Sequence, residues 1–172
     1  RRGLWQWLRR RVLESADLVI AISDYTAAMV RALAPSAHVV AIPLAVDHET
    51  FVPGDRAAAR EKWGVNHQRI LCSVSRIHAY KGYETVLKAL AALPPQERAQ
   101  ITYLVAGKGP DLELLKQRAC ELGVDRQARW LGFVPDADLP DLYRAADLFV
   151  LATQERADEQ SVEGFGLVFL EA

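Results

Sequence analysis

Short apolar runs of strand length alternate along this chain with longer stretches in which apolar residues recur every three or four positions. The runs lie at residues 17–22 (DLVIAI), 39–42 (VVAI), 70–74 (ILCSV), 101–106 (ITYLVA), 129–131 (RWL) and 148–151 (LFVL). Val, Ile and Leu dominate them, without a clean period of two. Strands buried on both faces of a helix-covered parallel sheet have that pattern.

Helical patterns fill the intervals. Residues 26–33 follow Ser23 and Asp24, either of which can cap a helix. Residues 56–63 stop at Gly64, residues 83–93 at Pro94-Pro95, and residues 111–122 at Gly123. Leu112, Leu115, Ala119 and Leu122 share one face of the third of these. Residues 138–146 follow Pro135. Strand and helix in alternation predict an α/β fold, a doubly wound parallel sheet flanked by helices.

One segment, residues 43–54 (PLAVDHETFVPG), has no period of its own and carries Pro43, Pro53 and Gly54, so the domain boundary is expected there. The ends also carry information. The chain starts on Arg-Arg without Met, which predicts a true N-terminus elsewhere. Only six residues follow Gly166, about 9 Å of helix. So short a helix is marginal, and the C-terminus reads as a truncation.

Composition narrows the function classes. The 172 residues are 51% hydrophobic and 25% charged, with a net charge of -1. Such a balance excludes mechanisms that rest on a bulk field, nucleic-acid binding among them. Cys72 and Cys120 lack spacing partners for zinc or a redox pair and are expected to be buried, reduced thiols, which suits a cytoplasmic protein. His38, His48, His67 and His78 are scattered, and none is assigned a catalytic role.

Two segments carry candidate chemistry. In Glu163-Gly164-Phe165-Gly166-Leu167-Val168-Phe169-Leu170-Glu171, the glycines let backbone approach a ligand closely. The helix start that follows offers free N–H groups to an anion. Glu171 has acceptors for a sugar diol, and Glu163 stands where a carboxylate meets a transferred sugar. An acidic residue in a first helical turn also serves the dipole with no ligand at all. Two glutamates bracketing the loop, seven residues apart, favour function. The second segment, Ser75-Arg76-Ile77-His78-Ala79-Tyr80-Lys81-Gly82, follows a strand and puts two cations at the carboxyl end of the sheet, where ligands collect in open α/β folds.

Arg76-x4-Lys81-Gly82 resembles the Arg/Lys-Gly motif of the family 4 glycosyltransferases, group 1 type. Glu163 to Glu171 is similar to that family's signature of two glutamates seven residues apart. Val105-Ala106-Gly107-Lys108-Gly109-Pro110 resembles its strand-to-helix loop. Leu131-Gly132-Phe133-Val134 and Leu142-Tyr143-Arg144-Ala145-Ala146-Asp147 resemble the stretch leading to its donor site. Residues 16–23 and 42–47 look like the end of the first domain and the crossover.

The resemblance covers nearly the whole chain, in the family's order. It implies a GT-B fold of two Rossmann-like domains facing across a cleft. Residues 1–42 would be the C-terminal tail of the acceptor-side domain, 43–54 the interdomain linker, and 55–172 the nucleotide-sugar donor-binding domain, truncated at its C-terminus. The implied reaction is transfer, with retention of configuration, from a UDP-, GDP- or ADP-linked sugar to a sugar or lipid-linked acceptor. By resemblance Arg76 and Lys81 bind the diphosphate and Glu163 contacts the donor sugar. The backbone of Phe165, Gly166 and Leu167 meets the sugar and β-phosphate, and Glu171 the ribose.

Ser75 stands where the family commonly has Gly, and the loop at 153–162 (TQERADEQSV) is longer and more acidic than in many members. No convincing metal site is read from the sequence, so no metal and no cofactor is expected, and Arg76, Lys81 and the helix start would take the metal's electrostatic role. A unit-charge pair at about 4 Å contributes about 4 kcal/mol gross at an effective dielectric of about 20.

Rival readings are a sugar-nucleotide epimerase of the same fold and a non-catalytic nucleotide-binding module; a phosphorylase would need a Schiff-base lysine that no segment suggests. An NAD fingerprint at Gly107-Lys108-Gly109 fails because Leu112 occupies the third glycine's position and no acidic residue ends the next strand. The basic start, RRGLWQWLRRR, places Leu4, Trp5, Leu8 and Val12 near one helical face among five arginines. We read it as a helix of the first domain with solvated arginines. The alternative is a peripheral membrane contact at the inner face, suited to a lipid-linked acceptor. Taken alone, the chain is expected not to turn over, since a two-domain cleft needs groups from both walls.

Overall fold

The computed structural model describes residues 2–65, 69–154 and 163–172. His67 and residues 155–162 of the acidic loop lie outside the described residues. The chain divides into two compact units, Arg1–Val46 with Gly164–Leu167, and Asp47–Glu163 with Val168–Ala172.

In the first unit, α1 (Arg2–Ser15) is followed by β1 (Val19–Ala21), α2 (Asp24–Leu33) and β2 (Val39–Ala41). β1 and β2 pair in parallel, Val19 opposite Val39. Ser23 settles the choice between the two candidate caps. Its side chain accepts from the Thr26 N–H and the Thr26 hydroxyl accepts from the Ser23 N–H, so both ends of a capping box are made. The core here is small, built on Ala21, Ala27 and Val39. The expectation of strands buried on both faces does not hold in this unit, because Ile20 is 59% exposed and Ile42 50%. Among the described residues of the unit, α2 covers one face of a two-stranded sheet. The α1 residues Leu4, Trp5 and Val12 are exposed too.

The second unit is doubly wound. It contains α3 (Arg56–Trp63), β3 (Arg69–Val74), α4 (Tyr83–Ala92), α5 (Pro95–Arg98), β4 (Ile101–Ala106), α6 (Leu112–Glu121), β5 (Ala128–Gly132), α7 (Leu139–Ala145), β6 (Leu148–Phe149) and α8 (Val168–Glu171). The sheet order is β5-β4-β3-β6, every pair parallel. The central strands have the anticipated double burial. Tyr103 and Val105 of β4 face a core with Val86, Leu87 and Leu90 of α4 and Leu115 and Ala119 of α6. Leu104 and Ala106 face a second core with Ile70 and Cys72 of β3, Ala59 of α3 and Leu142 and Ala145 of α7. Two side chains of β3 and β4, Ser73 and Tyr103, are joined by a 2.7 Å hydrogen bond between their hydroxyls.

Helix ends follow the sequence signals. Asp55 caps α3 by accepting from Ala57 and Ala58, and Gly64 closes it at a φ of 60°. Pro94-Pro95 ends α4 as expected, and Pro95 then occupies the first position of α5, where a missing N–H costs nothing. One reading needs correction. Cys72 is buried and its thiol is pushed up to about 12 by that burial, but Cys120 is exposed. The buried face of α6 runs through Leu115 and Ala119, and Cys120 sits one residue past it, about 100° round the helix. Among the described residues no helix is long and apolar enough to cross a membrane.

Candidate functional site

A sheet ordered β5-β4-β3-β6 has one place where the chain reverses direction. From β3 it builds outward through β4 to β5, then returns to the other side of β3 as β6. Ligands of open α/β sheets bind outside the carboxyl ends of the strands that flank such a point. Here those strands are β3 and β6, and the segments leaving them are the ones that carry Lys81 and Glu163.

The segment after β3 is fastened on both sides. The Ser75 N–H donates to Ala106 O and the Ile77 N–H to Lys108 O, stitching it to the loop after β4. That approach leaves no room for side chains on the facing loop. A Cβ on Gly107 would lie 1.9 Å from Ser75 O, and one on Gly109 2.0 Å from Ile77 O. Ser75, which replaces the expected glycine, is used as well. Its hydroxyl meets that of Tyr83 at 2.8 Å, and burial pushes the Tyr83 phenol up to about 12.

The chain then makes a 3-10 turn at Ala79–Lys81 and enters α4 through Gly82, whose φ is 77°. A Cβ at Gly82 would sit 1.8 Å from the Ala152 carbonyl oxygen. The Gln154 N–H donates to Tyr80 O at 2.7 Å. Lys81-Gly82 is thus laid directly on the segment leaving β6. This contact explains why the motif needs glycine after its lysine.

Lys81 Nζ and Glu163 Oε2 are 2.5 Å apart. Lys81 is only 9% exposed, so the pair is poorly screened. The Thr153 hydroxyl lies 3.5 Å from the same carboxylate oxygen, and the ammonium stands 5.2 Å from the centre of the Tyr80 ring. Two sequence-predicted site residues, 82 positions apart, are therefore brought together.

The other predicted residues are distributed differently. Arg76 is exposed and lines a cavity of about 290 Å³ at the carboxyl ends of β3, β4 and β5, together with Lys108, Phe133 and Asp136. Glu171 accepts a hydrogen bond from the Tyr143 hydroxyl at 2.7 Å and lines another cavity of about 380 Å³ with Arg56 and Arg144. Phe165, Gly166 and Leu167 group with the first unit. Gly166 is buried at a φ of 78°, and in the same unit the Ser23 hydroxyl donates to Gly164 O at 2.6 Å. α8, the helix expected to offer an anion site, has four residues here. His78, assigned no role, lies 3.8 Å from Asp111, whose carboxylate accepts from the Ala79 N–H at 2.7 Å. Among the described residues no group of three or more His, Cys, Asp or Glu is arranged to hold a metal ion.

Sequence reasoning missed two residues, one bonded to Glu171 and one at the far end of the sheet. Tyr143 appeared only inside a motif. Asp147, from the same motif, ties the opposite end of the sheet. It accepts from the Ile70 N–H at 2.7 Å and from Arg60 at 2.7 Å, and pairs with Arg56. Burial opposes its charge, yet that N–H and the two guanidinium groups hold its carboxyl below the usual range. An acid directly before a strand is the signal that was available.

Comparison with known proteins gives a consistent picture. The profile of the family Glycosyl transferases group 1 matches residues 55–172. A GDP-mannose-dependent alpha-(1-6)-phosphatidylinositol monomannoside mannosyltransferase of Mycolicibacterium smegmatis is 34% identical over 167 residues, covering 95% of this chain and 43% of its own length. A D-inositol 3-phosphate glycosyltransferase of Saccharomonospora viridis is 37% identical over 166 residues, covering 91% of this chain and 35% of its own. The crystal structure of Anabaena Alr3699/HepE in complex with UDP-glucose superposes with a TM-score of 0.81 at 25% identity, over 96% of this chain and 45% of that one. The chain spans less than half the length of each of these proteins.

Proposed function

The chain belongs to the group 1 glycosyltransferases, and on that premise we propose that it supplies the donor site for transfer of a glycosyl group from a nucleoside-diphosphate sugar, with retention of configuration. In this reading residues 55–172 hold the donor, residues 1–42 belong to the acceptor-side domain, and 43–54 link the two. Among donors, GDP-mannose comes first, because the mannosyltransferase of M. smegmatis is named for it and matches nearly the whole chain. UDP- and ADP-linked sugars follow, and the acceptor is a sugar or a lipid-linked sugar.

The observation that carries the reading is the meeting of Lys81 and Glu163 at the point where the sheet order reverses. As the bond to the sugar breaks, negative charge grows on the β-phosphate. A poorly screened ammonium beside it lowers that barrier without a metal. Arg76 shares the diphosphate, Glu163 orients the sugar, the backbone of Phe165–Leu167 meets sugar and β-phosphate, and Glu171 takes the ribose. The close Lys81–Glu163 pair suits this division, since one carboxylate can steer both the lysine and a sugar hydroxyl.

Calorimetric titration of the full-length protein with GDP, UDP, ADP and NAD tests the proposal, with Lys81→Ala and Glu171→Ala in parallel. Micromolar binding of one nucleoside diphosphate, weakened by about tenfold or more in both variants, is the expected result and names the base. Binding of NAD alone, or of none of the four, sinks it.

A further inference from the structure

Glu171 is not left to find its own orientation. Its helix, α8, is anchored by Phe169, which meets Phe149 edge-on at 5.2 Å, and by Val168 against the core. The carboxylate is then gripped at one oxygen, Oε2, by the Tyr143 hydroxyl at 2.7 Å. Tyr143 is itself immobile. It is 7% exposed on the buried side of α7, and its ring stands edge-on to Phe51 at 5.9 Å and to Phe149 at 5.8 Å.

A carboxylate has two oxygens and about four acceptor sites, of which this contact uses one. The remaining sites keep a fixed direction, because a side chain held at one oxygen has lost most of its rotamer freedom before any ligand arrives.

We propose that Tyr143 is a positioning residue for the ribose subsite, its hydroxyl fixing the Glu171 carboxylate so that the free acceptor sites meet the 2′,3′-diol of a nucleoside diphosphate. The inference rests on the assignment of Glu171 to the ribose. Tyr143 lines the same cavity as Glu171, but with its hydroxyl committed to the carboxylate it acts through Glu171. Burial, reinforced by the hydrogen bond to Glu171, pushes the phenol well above its ordinary range, so the hydroxyl keeps its proton and remains the donor.

The test measures diol preference in the full-length protein, as the ratio of dissociation constants for 2′,3′-dideoxy-GDP and GDP, with the UDP and ADP pairs run alongside. The wild type should prefer the diol by at least about tenfold, the scale of one hydrogen bond to a charged group. Glu171→Ala should bring the ratio near one. Tyr143→Phe keeps the ring and removes one oxygen. It should lower GDP affinity by about three- to tenfold and leave dideoxy-GDP unchanged. In the double variant the loss should be no greater than in Glu171→Ala alone, because the tyrosine works through the glutamate.

Melting curves of the Tyr143→Phe protein accompany the titrations. A purely structural role would weaken both nucleotides together or add to the loss in the double variant, and either result overturns the inference, as does an unchanged ratio. A full preference surviving Glu171→Ala would instead remove the ribose assignment beneath it.

Discussion

β3 and β6 carry a charged cluster at each end, and the two clusters are built to opposite specifications. At the amino end, Asp147 takes the Ile70 N–H, Arg60 and Arg56. The same arginines reach on to the carbonyls of Ala145 and Ala146. Backbone groups saturate that cluster, and it clamps α3 to the turn between α7 and β6. At the carboxyl end, Lys81 and Glu163 meet side chain to side chain, with the Thr153 hydroxyl at 3.5 Å. Among the described residues, neither side chain hydrogen-bonds to the backbone. Charge alone therefore does not mark a site. What distinguishes the carboxyl-end pair is that it joins two side chains, and that a reversal in strand order directs both segments there.

The sharpest way to break this contrast is Lys81→Ala in the full-length protein. Turnover should fall by about 100- to 1000-fold, the scale of losing one preorganised charge partner, while the melting temperature moves little. Equal turnover in variant and wild type would mean that the carboxyl-end pair is as structural as the other. Asp147→Asn is the reciprocal experiment. It should cost about 1–2 kcal/mol in urea unfolding, modest because the arginine pairs are partly exposed, and leave the nucleotide dissociation constant unchanged. Weakened binding at full stability would reverse the assignment. The smallest effect is in acid. Because the folded-state carboxyl of Asp147 titrates below its unfolded value of about 3.9, its contribution is complete above that pH. It is lost as pH falls through the folded value. The stability gap between wild type and Asp147→Asn should therefore be constant from pH 7 to about 5 and close below about 4. A gap that persists in acid would show that packing, not charge, makes the difference.

Much of this was legible in the chain. The Val, Ile and Leu runs marked the six strands among the described residues, and Gly64 and Gly123 marked helix ends, because those signals are local. The two-sided burial of β4 was legible too, but the same pattern misled for β1 and β2, where burial depends on layers outside the strand. Cys120 went wrong by one residue on a helix face, which apolar neighbours in sequence cannot reveal. Arg76, Lys81, Glu163 and Glu171 were picked out by residue type and position after strands. The partnership of Lys81 with Glu163 was not, since it depends on strand order. Glycines 107 and 109 were read only as part of a loop motif, and what they admit is the protein's own backbone at Ser75 and Ile77. Tyr143 and Asp147 stayed hidden because a partner 28 or 77 positions away leaves no periodic trace.

The strand order also sets when the site can come into being. β3 lies inside its sheet between β4 and β6, and β6 is made later than both β4 and β5, with Leu71 pairing to Leu148. Closing so long a loop is slow compared with joining β3 to β4. A nascent chain therefore has Lys81 well before Glu163, with β4 and β5 added in between. The Lys81–Glu163 pair therefore forms only in molecules in which β6 has docked beside β3.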